Sequence, residues 1–573
     1  MARGLNFFAE IWLAGALICA GPLAARAGEM GFLRARGQDI VNEKGEKVLL
    51  RGVGLGNWLL PEGYMWKFGN GGDRPRKIEK IVSDLIGPED ASRFWAEFRR
   101  NYITEADVRQ IAGLGYNSVR PALNSRLFIG SSSGADAEGI RQSGGQSVGH
   151  AKAWTPTGPE GFELLDNLVS WCKGQGIYVI IDMHGAPGGQ TGQNIDDSAN
   201  DQPELFMETR HQDELVALWR AIAQRYRNEP AVAGYELLNE PLPARTGAAA
   251  KHKKQLEPLY QRITRAIREV DPKHIIILEG ADWSNDWSVF SKPFDANLVY
   301  QFHYYCWDTP AKLNGIEKFL RYRERFNAPV WVGETGERDA AIYWATTEYF
   351  EANNIGWSFW PWKKMDTDNT PYSIQRPRDW EAVAAYSRGG AKPARDVAKK
   401  AFDELLVNIR LEHCAFHPNV VNAMLRRAPV RIEAENFGHR GPGVSYGVTN
   451  GLARSRFYRL EEPVSILAQE SQRPGSSQYI RLSAAEWTAY SLSSDASKRW
   501  DITARVRAEK SPAEVRWFIN GEAFDLKIAE KGWVEKKLGA VSLKCGVNEI
   551  KWVITRGTAD LDWLGVDQID EVK

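Results

Sequence analysis

Between about residue 40 and residue 408 the chain alternates short apolar runs with longer amphipathic stretches, and few folds accommodate that alternation. Residues 48–53, 117–120, 177–182, 234–240, 274–279, 298–303, 330–333 and 356–360 read as eight strands. Helical patterns fall between them at 105–114, 161–175, 212–226 and 256–270. Ile177-Tyr-Val-Ile-Ile-Asp182 is almost continuously apolar, as a strand covered on both faces should be. The pattern predicts an α/β fold, a (β/α)8 TIM barrel. A doubly wound open sheet would carry a phosphate loop after its first strand. Gly52-Val-Gly-Leu-Gly56 has neither the GxGxxG spacing nor a helix start.

A parallel barrel gathers the C-terminal ends of its strands at one rim, where catalytic groups sit. The fourth run ends in Asn239 and Glu240, with Pro241 stopping the strand, and the seventh ends in Glu334. Glu240 and Glu334 are therefore expected to face each other across that rim. The segments after the strands carry Trp58, Tyr64, Trp66, Phe68, Trp283, Trp287, Tyr304, Tyr305, Trp307, Trp360 and Trp362. Aromatic rings among Asn, Asp and His suit the flat faces and the hydroxyls of a sugar. A Gly/Ser-rich insertion at 130–149 and a glycine-rich polar loop from His184 to Asp197 follow the second and third strands.

At 573 residues the chain is too long for one ordinary domain. Lys+Arg and Asp+Glu both number 73, which gives no reason to expect nucleic acid or an anionic membrane as a partner. Arg3, the apolar run 11–20 and Ala25-Arg-Ala27 form a secretory signal over residues 1–27, so the mature protein is expected to be secreted or periplasmic. No later run is long enough to span a bilayer, and no membrane anchor is expected after cleavage. Cys172, Cys306, Cys414 and Cys545 are scattered, as isolated packed thiols would be, with a single bridge left open. Residues 28–410 are assigned to the barrel and 411–429, without strand alternation or a strong helix, to a linker. From 430 to 573 short alternating runs are split by turns such as Asn520-Gly521, which predicts a smaller all-β sandwich.

Two carboxylates flanking an acetal are the minimum machinery for glycosidic hydrolysis, one protonated and one ionised. Asn239-Glu240-Pro241 and Gly333-Glu334, with Asn117-Ser-Val-Arg120, Asp182-Met-His184, His303-Tyr304-Tyr305 and Trp357-Ser-Phe-Trp360, resemble the motif set of glycoside hydrolase family 5. This cellulase-like group contains retaining (β/α)8 glycosidases. The resemblance covers roughly residues 40–400 and implies Glu240 as acid/base and Glu334 as nucleophile. It further implies that Asn239 binds the 2-hydroxyl, that Arg120 and Tyr305 hold Glu334 ionised and aimed, that His184 and His303 line the cleaved-sugar subsite, and that Trp360 is its platform. No catalytic cofactor is implied, and the partner is a polysaccharide or oligosaccharide, most simply a β-1,4- or β-1,3-glucan. Mannan or a glycolipid headgroup would use the same machinery. A catalytically silent glycan binder is the alternative from another class; a metal-dependent barrel hydrolase would need a ligand cluster the sequence does not offer.

Val430-Arg-Ile-Glu-Ala-Glu-Asn-Phe437, Glu486-Trp-Thr-Ala-Tyr490 and Asp560-Leu-Asp-Trp563 resemble carbohydrate-binding module family 6. That resemblance implies a structural calcium with Glu433 and Glu435 as candidate ligands, oxygen donors suiting the ion. Trp552 and Asp560 are its candidates for a sugar cleft, and an interdomain brace is the alternative role for the domain.

Overall fold

The structure is a computed structural model and describes residues 30–129, 158–307, 315–449, 455, 458–468 and 478–569. The expected signal (1–27) and the Gly/Ser-rich insertion (130–149) lie outside the described residues. Eight parallel strands close into a barrel: β1 (Arg51–Leu55), β2 (Ser118–Asn124), β3 (Tyr178–Gly185), β4 (Val232–Glu236), β5 (Ile275–Glu279), β6 (Leu298–His303), β7 (Val330–Gly336) and β8 (Gly356–Trp360). Register runs around the ring and shuts where Trp357 pairs with Arg51. Helices such as Pro159–Gln175, Thr209–Tyr226 and Leu256–Arg268 cover the outside. Leu259, Ile263 and Ile267 of the last share one face and are buried, as a helix with a single apolar stripe requires.

Two glycines, one in β1 and one just after it, explain the alternation that separated this chain from a dinucleotide fold. A Cβ on Gly54 would lie 2.4 Å from the Trp360 ring, and one on Gly56 would lie 2.6 Å from it. The glycines clear the barrel mouth for that indole.

Residues 411–429 are more ordered than a linker. They hold the helix Pro418–Met424, started by Pro418 and burying Val420, Val421 and Met424. Seven residues between a Pro and the cis peptide Ala428–Pro429 give too short a periodicity to read from sequence. The segment ties the two domains: Arg426 pairs with Glu351 of the barrel helix Ala340–Ala352.

The C-terminal region is two packed antiparallel sheets. One is ordered Ser465–Ala468, Gln478–Ser483, Thr558–Gln568, Lys498–Ala508, Val534–Leu543; Val430–Glu433 also pairs with Thr558–Gln568. The other runs Tyr446–Gly447, Trp487–Ser494, Gly546–Arg556, Ala513–Ile519, Glu522–Ile528. Trp500, Trp517 and Trp552 lie buried in this region. Trp552 stacks on Trp517 at 6.0 Å, so it is core and not a cleft residue. Asp560 is also buried, paired with Arg481 and Arg507, which removes it from a sugar cleft as well.

Candidate active site

Strand β4 ends at Glu236, four residues before the expected end. The chain nevertheless stays on the rim, because Leu237 N–H donates to Ile277 (3.1 Å) and Asn239 N–H to Met183 (3.1 Å). Glu240 then adopts φ +44°, a left-handed conformation uncommon for a residue with a Cβ. Its N–H is held by the Glu279 carboxylate at 2.7 Å. Glu334 needs no such device, since it lies within β7.

The two glutamates meet as expected. His303 Nδ1 is 2.7 Å from Glu240 Oε1 and 3.5 Å from Glu334 Oε2. The reaching atoms of Glu240, His303 and Glu334 all lie within 4.8 Å of one another. Arg120 is wholly buried beneath them. It donates through Nη1 to Glu334 (2.5 Å), through Nη2 to Asn239 (2.7 Å), and through Nε and Nη2 to both oxygens of Glu236 (2.8 and 2.5 Å). Tyr305 donates its hydroxyl to Glu334 Oε2 at 2.8 Å. Burial, then the charge of Glu334, pushes that phenol well up, so it stays a donor at any working pH.

The two histidines diverge. Burial lowers His184 to about 4, so it is neutral. Its Nδ1 faces Asp182 at 2.7 Å and its Nε2 accepts from Asn239 Nδ2 at 3.2 Å, which fixes the amide so that its oxygen takes the Arg120 bond. For His303 burial also opposes the charge. The carboxylates of Glu279, Glu334 and Glu240 outweigh it and hold the imidazole well above its ordinary value. Trp360 stacks on His184 at 5.2 Å and 5°, and its indole N–H donates to Tyr64 Oη at 3.0 Å.

These groups open into a cleft of about 740 Å³ lined by Glu62, Tyr64, Trp283, Tyr305, Trp307 and Trp360. Trp58, Trp66, Trp287 and Trp362 are buried instead, packing the loops rather than facing the cleft. The Trp66 ring alone meets Phe68, Phe94, Trp95, Phe98 and Trp380.

Several residues of the site were not singled out beforehand. Glu236 and Glu279 stand among apolar residues in strands, and a charge at such a position was the available signal. Glu62 is buried at the cleft wall with Oε1 unpaired. Burial, then Glu334, Glu337 and Glu240, pushes its carboxyl well up. It sits in a loop, where no periodicity marks it.

Residues 86–366 match the model of the cellulase family, glycosyl hydrolase family 5. This stretch is a glycosyl hydrolase family 5 domain. The chain is 27% identical over 436 residues to a beta-xylosidase of Phanerodontia chrysosporium, covering 68% of this chain and 85% of that one. It is 29% identical over 299 residues to the probable glucan 1,3-beta-glucosidase A of Aspergillus fumigatus, covering 50% of this chain and 64% of that one. It is 24% identical over 333 residues to endoglucanase C of Acetivibrio thermocellus, covering 48% and 88%. The protein is a glycoside hydrolase, and family 5 chemistry needs no cofactor. Glu236, Glu279 and His303 are also close enough to share an ion, but the Arg120 guanidinium already sits against both carboxylates.

The expected calcium ligands open the sandwich. Glu433 pairs with Arg431 at 2.7 Å. Glu435 is buried with Oε2 unpaired, and burial, then repulsion from Glu433 and Asp562, pushes its carboxyl well up. Glu433 and Asp562 are each already paired with an arginine, Arg431 and Arg505, and Glu435 brings the orphaned oxygen.

Proposed function

We propose that the protein is a secreted or periplasmic retaining β-glycosidase that cleaves β-glucan-type polysaccharides or oligosaccharides by double displacement. The observation that carries this reading is the meeting of Glu240 and Glu334 at one imidazole nitrogen, with their oxygens inside 4.8 Å. Retaining enzymes hold their carboxyls about 5–5.5 Å apart, whereas an inverting pair leaves about 6.5–9.5 Å for a water.

Glu334, gripped at both oxygens by Arg120 and Tyr305, attacks the anomeric carbon. Glu240, beside the charged His303, gives its proton to the leaving oxygen and later takes one from water. Asn239, its oxygen committed to Arg120 and its amide to His184, is oriented for the 2-hydroxyl. Trp360 and Tyr64 supply the sugar platform. Glu62, kept protonated by its surroundings, can donate to a hydroxyl of the same ring. The relatives, a beta-xylosidase, a probable glucan 1,3-beta-glucosidase and an endoglucanase, favour glucan or a related β-linked chain. Secretion is supported by the character of residues 1–27. In the C-terminal domain we assign Glu433 and Glu435, with Asp562, to a structural calcium.

The test is the anomeric configuration of the first product. Proton NMR during hydrolysis of β-1,3- and β-1,4-gluco-oligosaccharides and mannan should show the β-anomer first, and the panel identifies the linkage. An initial α-anomer would refute double displacement.

A further inference from the structure

Five carboxylates crowd two cations at the barrel mouth. Arg120 lies within 4 Å of Asp182, Glu236, Glu279 and Glu334, and His303 lies within 4 Å of Glu240, Glu279 and Glu334. The cleavage chemistry uses Glu240 and Glu334, and Glu236 has both oxygens occupied by Arg120. Glu279 is left without a task.

Its placement is specific. The side chain is wholly buried at the end of β5, so no sugar touches it. Oε2 accepts the Glu240 N–H at 2.7 Å. Oε1 accepts from Gln301 Nε2 at 2.6 Å and lies 3.2 Å from His303 Nε2. The other nitrogen of that imidazole reaches the Glu240 carboxyl at 2.7 Å. One carboxyl therefore contacts Glu240 by two routes: through its strained peptide, and through the imidazole that touches its side chain.

We propose that Glu279 is a positioning residue that holds Glu240 on its left-handed backbone and, through His303, sets how tightly the transferable proton is kept. The inference rests on Glu240 being the acid/base. The groups within reach of Glu279 are Arg120 from β2, Glu236 from β4, the Glu240 N–H from the rim, and His303 and Gln301 from β6; the Tyr260 hydroxyl caps its backbone oxygen at 3.0 Å. Glu236 and Glu279 share the site: burial pushes the Glu279 carboxyl well up, whereas for Glu236 burial is outweighed by Arg120 and the carboxyl is held down. Glu279 Oε1 lies 3.2 Å from Nε2 of the imidazole, and an acceptor there favours the protonated ring.

The sign follows. Replacing Glu279 by Gln keeps the shape but leaves one acceptor oxygen where the carboxyl presents two, so that an amide N–H faces either the Glu240 N–H or the His303 Nε2–H. The His303–Glu240 pair then releases its proton at lower pH, and the alkaline limb of kcat/KM moves acidward.

The experiment compares wild type, Glu279→Gln and Glu240→Ala on an unactivated β-linked gluco-oligosaccharide and on a dinitrophenyl β-glucoside, whose leaving group needs no proton. Glu279→Gln is expected to lose about tenfold more kcat/KM on the first substrate than on the second, a part of the roughly 100-fold or more that a general acid supplies. Its alkaline limb should move down by about half a pH unit or more. Partly misfolded protein lowers both rates alike and leaves the ratio and the limb unchanged, so a folding defect cannot imitate the result. Equal losses with an unmoved limb would overturn the proposal. If Glu240→Ala itself fails to spare kcat/KM for the activated substrate, the assignment of Glu240 falls; if it spares that value and Glu279→Gln does not, only the present inference falls.

Discussion

Glu351→Gln is expected to destabilise the protein strongly at neutral pH and much less in acid. Glu351 lies on the helix Ala340–Ala352. Its Oε1 accepts from Arg51 Nε (2.7 Å) and Trp357 Nε1 (3.0 Å), and its Oε2 from Arg51 Nη2 (2.9 Å) and from Arg426. Burial favours the neutral acid, but Arg426 and Arg51 overcome it and bring the carboxyl from 4.5 down to about 2. That interval of about 2.5, at about 1.36 kcal/mol per unit, is worth about 3.4 kcal/mol. The folded value is depressed, so this stabilisation is present above about pH 4.5 and is lost as pH falls through 2. At pH 3 the same two values leave about 1.4 kcal/mol. Gln cannot titrate and cannot answer two guanidiniums. Urea unfolding followed by tryptophan fluorescence, at pH 7 and pH 3, measures the gap between wild type and variant. It should be about 3 kcal/mol at pH 7 and shrink to about half or less at pH 3. A gap that is the same at both values, or under about 1 kcal/mol at pH 7, would refute the reasoning.

Glu240→Ala should lose activity on unactivated glycosides yet keep its first step on dinitrophenyl glycosides, so that a glycosyl-enzyme accumulates; burst kinetics check this. Arg120→Lys should lower kcat/KM by at least about 100-fold, because one ammonium cannot replace a fork that grips Glu334, Asn239 and Glu236 at once. Its activity should fall while the enzyme remains folded by circular dichroism. Calcium should raise the melting temperature of the C-terminal domain and EDTA should lower it, with no response in Glu435→Gln.

Much of the barrel was legible because buried parallel strands are nearly unbroken apolar runs. The limits of β6 and β8 match their runs residue for residue. The fourth run misled at its end: Leu237 and Leu238 are apolar and buried, but they lie past the strand, ahead of the left-handed Glu240 and Leu242. Of the eight residues named from motifs, His184, Glu240, His303, Tyr305, Glu334 and Trp360 line the cleft, and the buried Arg120 and Asn239 are bonded to them. Glu62 did not stand out, since a loop carries no period and its meaning arises only from the fold. Tryptophans after strands could not be sorted in advance either. Trp66 and Trp360 look alike in sequence, yet one is surrounded by rings of the outer helices and the other lies on two glycines at the mouth. Trp552 was equally opaque, because alternation in a sandwich does not say which sheet face meets the other.

The central claim, that Glu334 forms a covalent bond to the sugar while Glu240 manages the proton, is tested most directly by trapping. Incubation with a 2-deoxy-2-fluoro β-glucosyl fluoride, digestion and mass spectrometry should show one added fluoroglycosyl group on the peptide containing Glu334, with activity lost in proportion. Inactivation with the label on another residue, or turnover of an accepted fluorosugar without any adduct, would contradict the account.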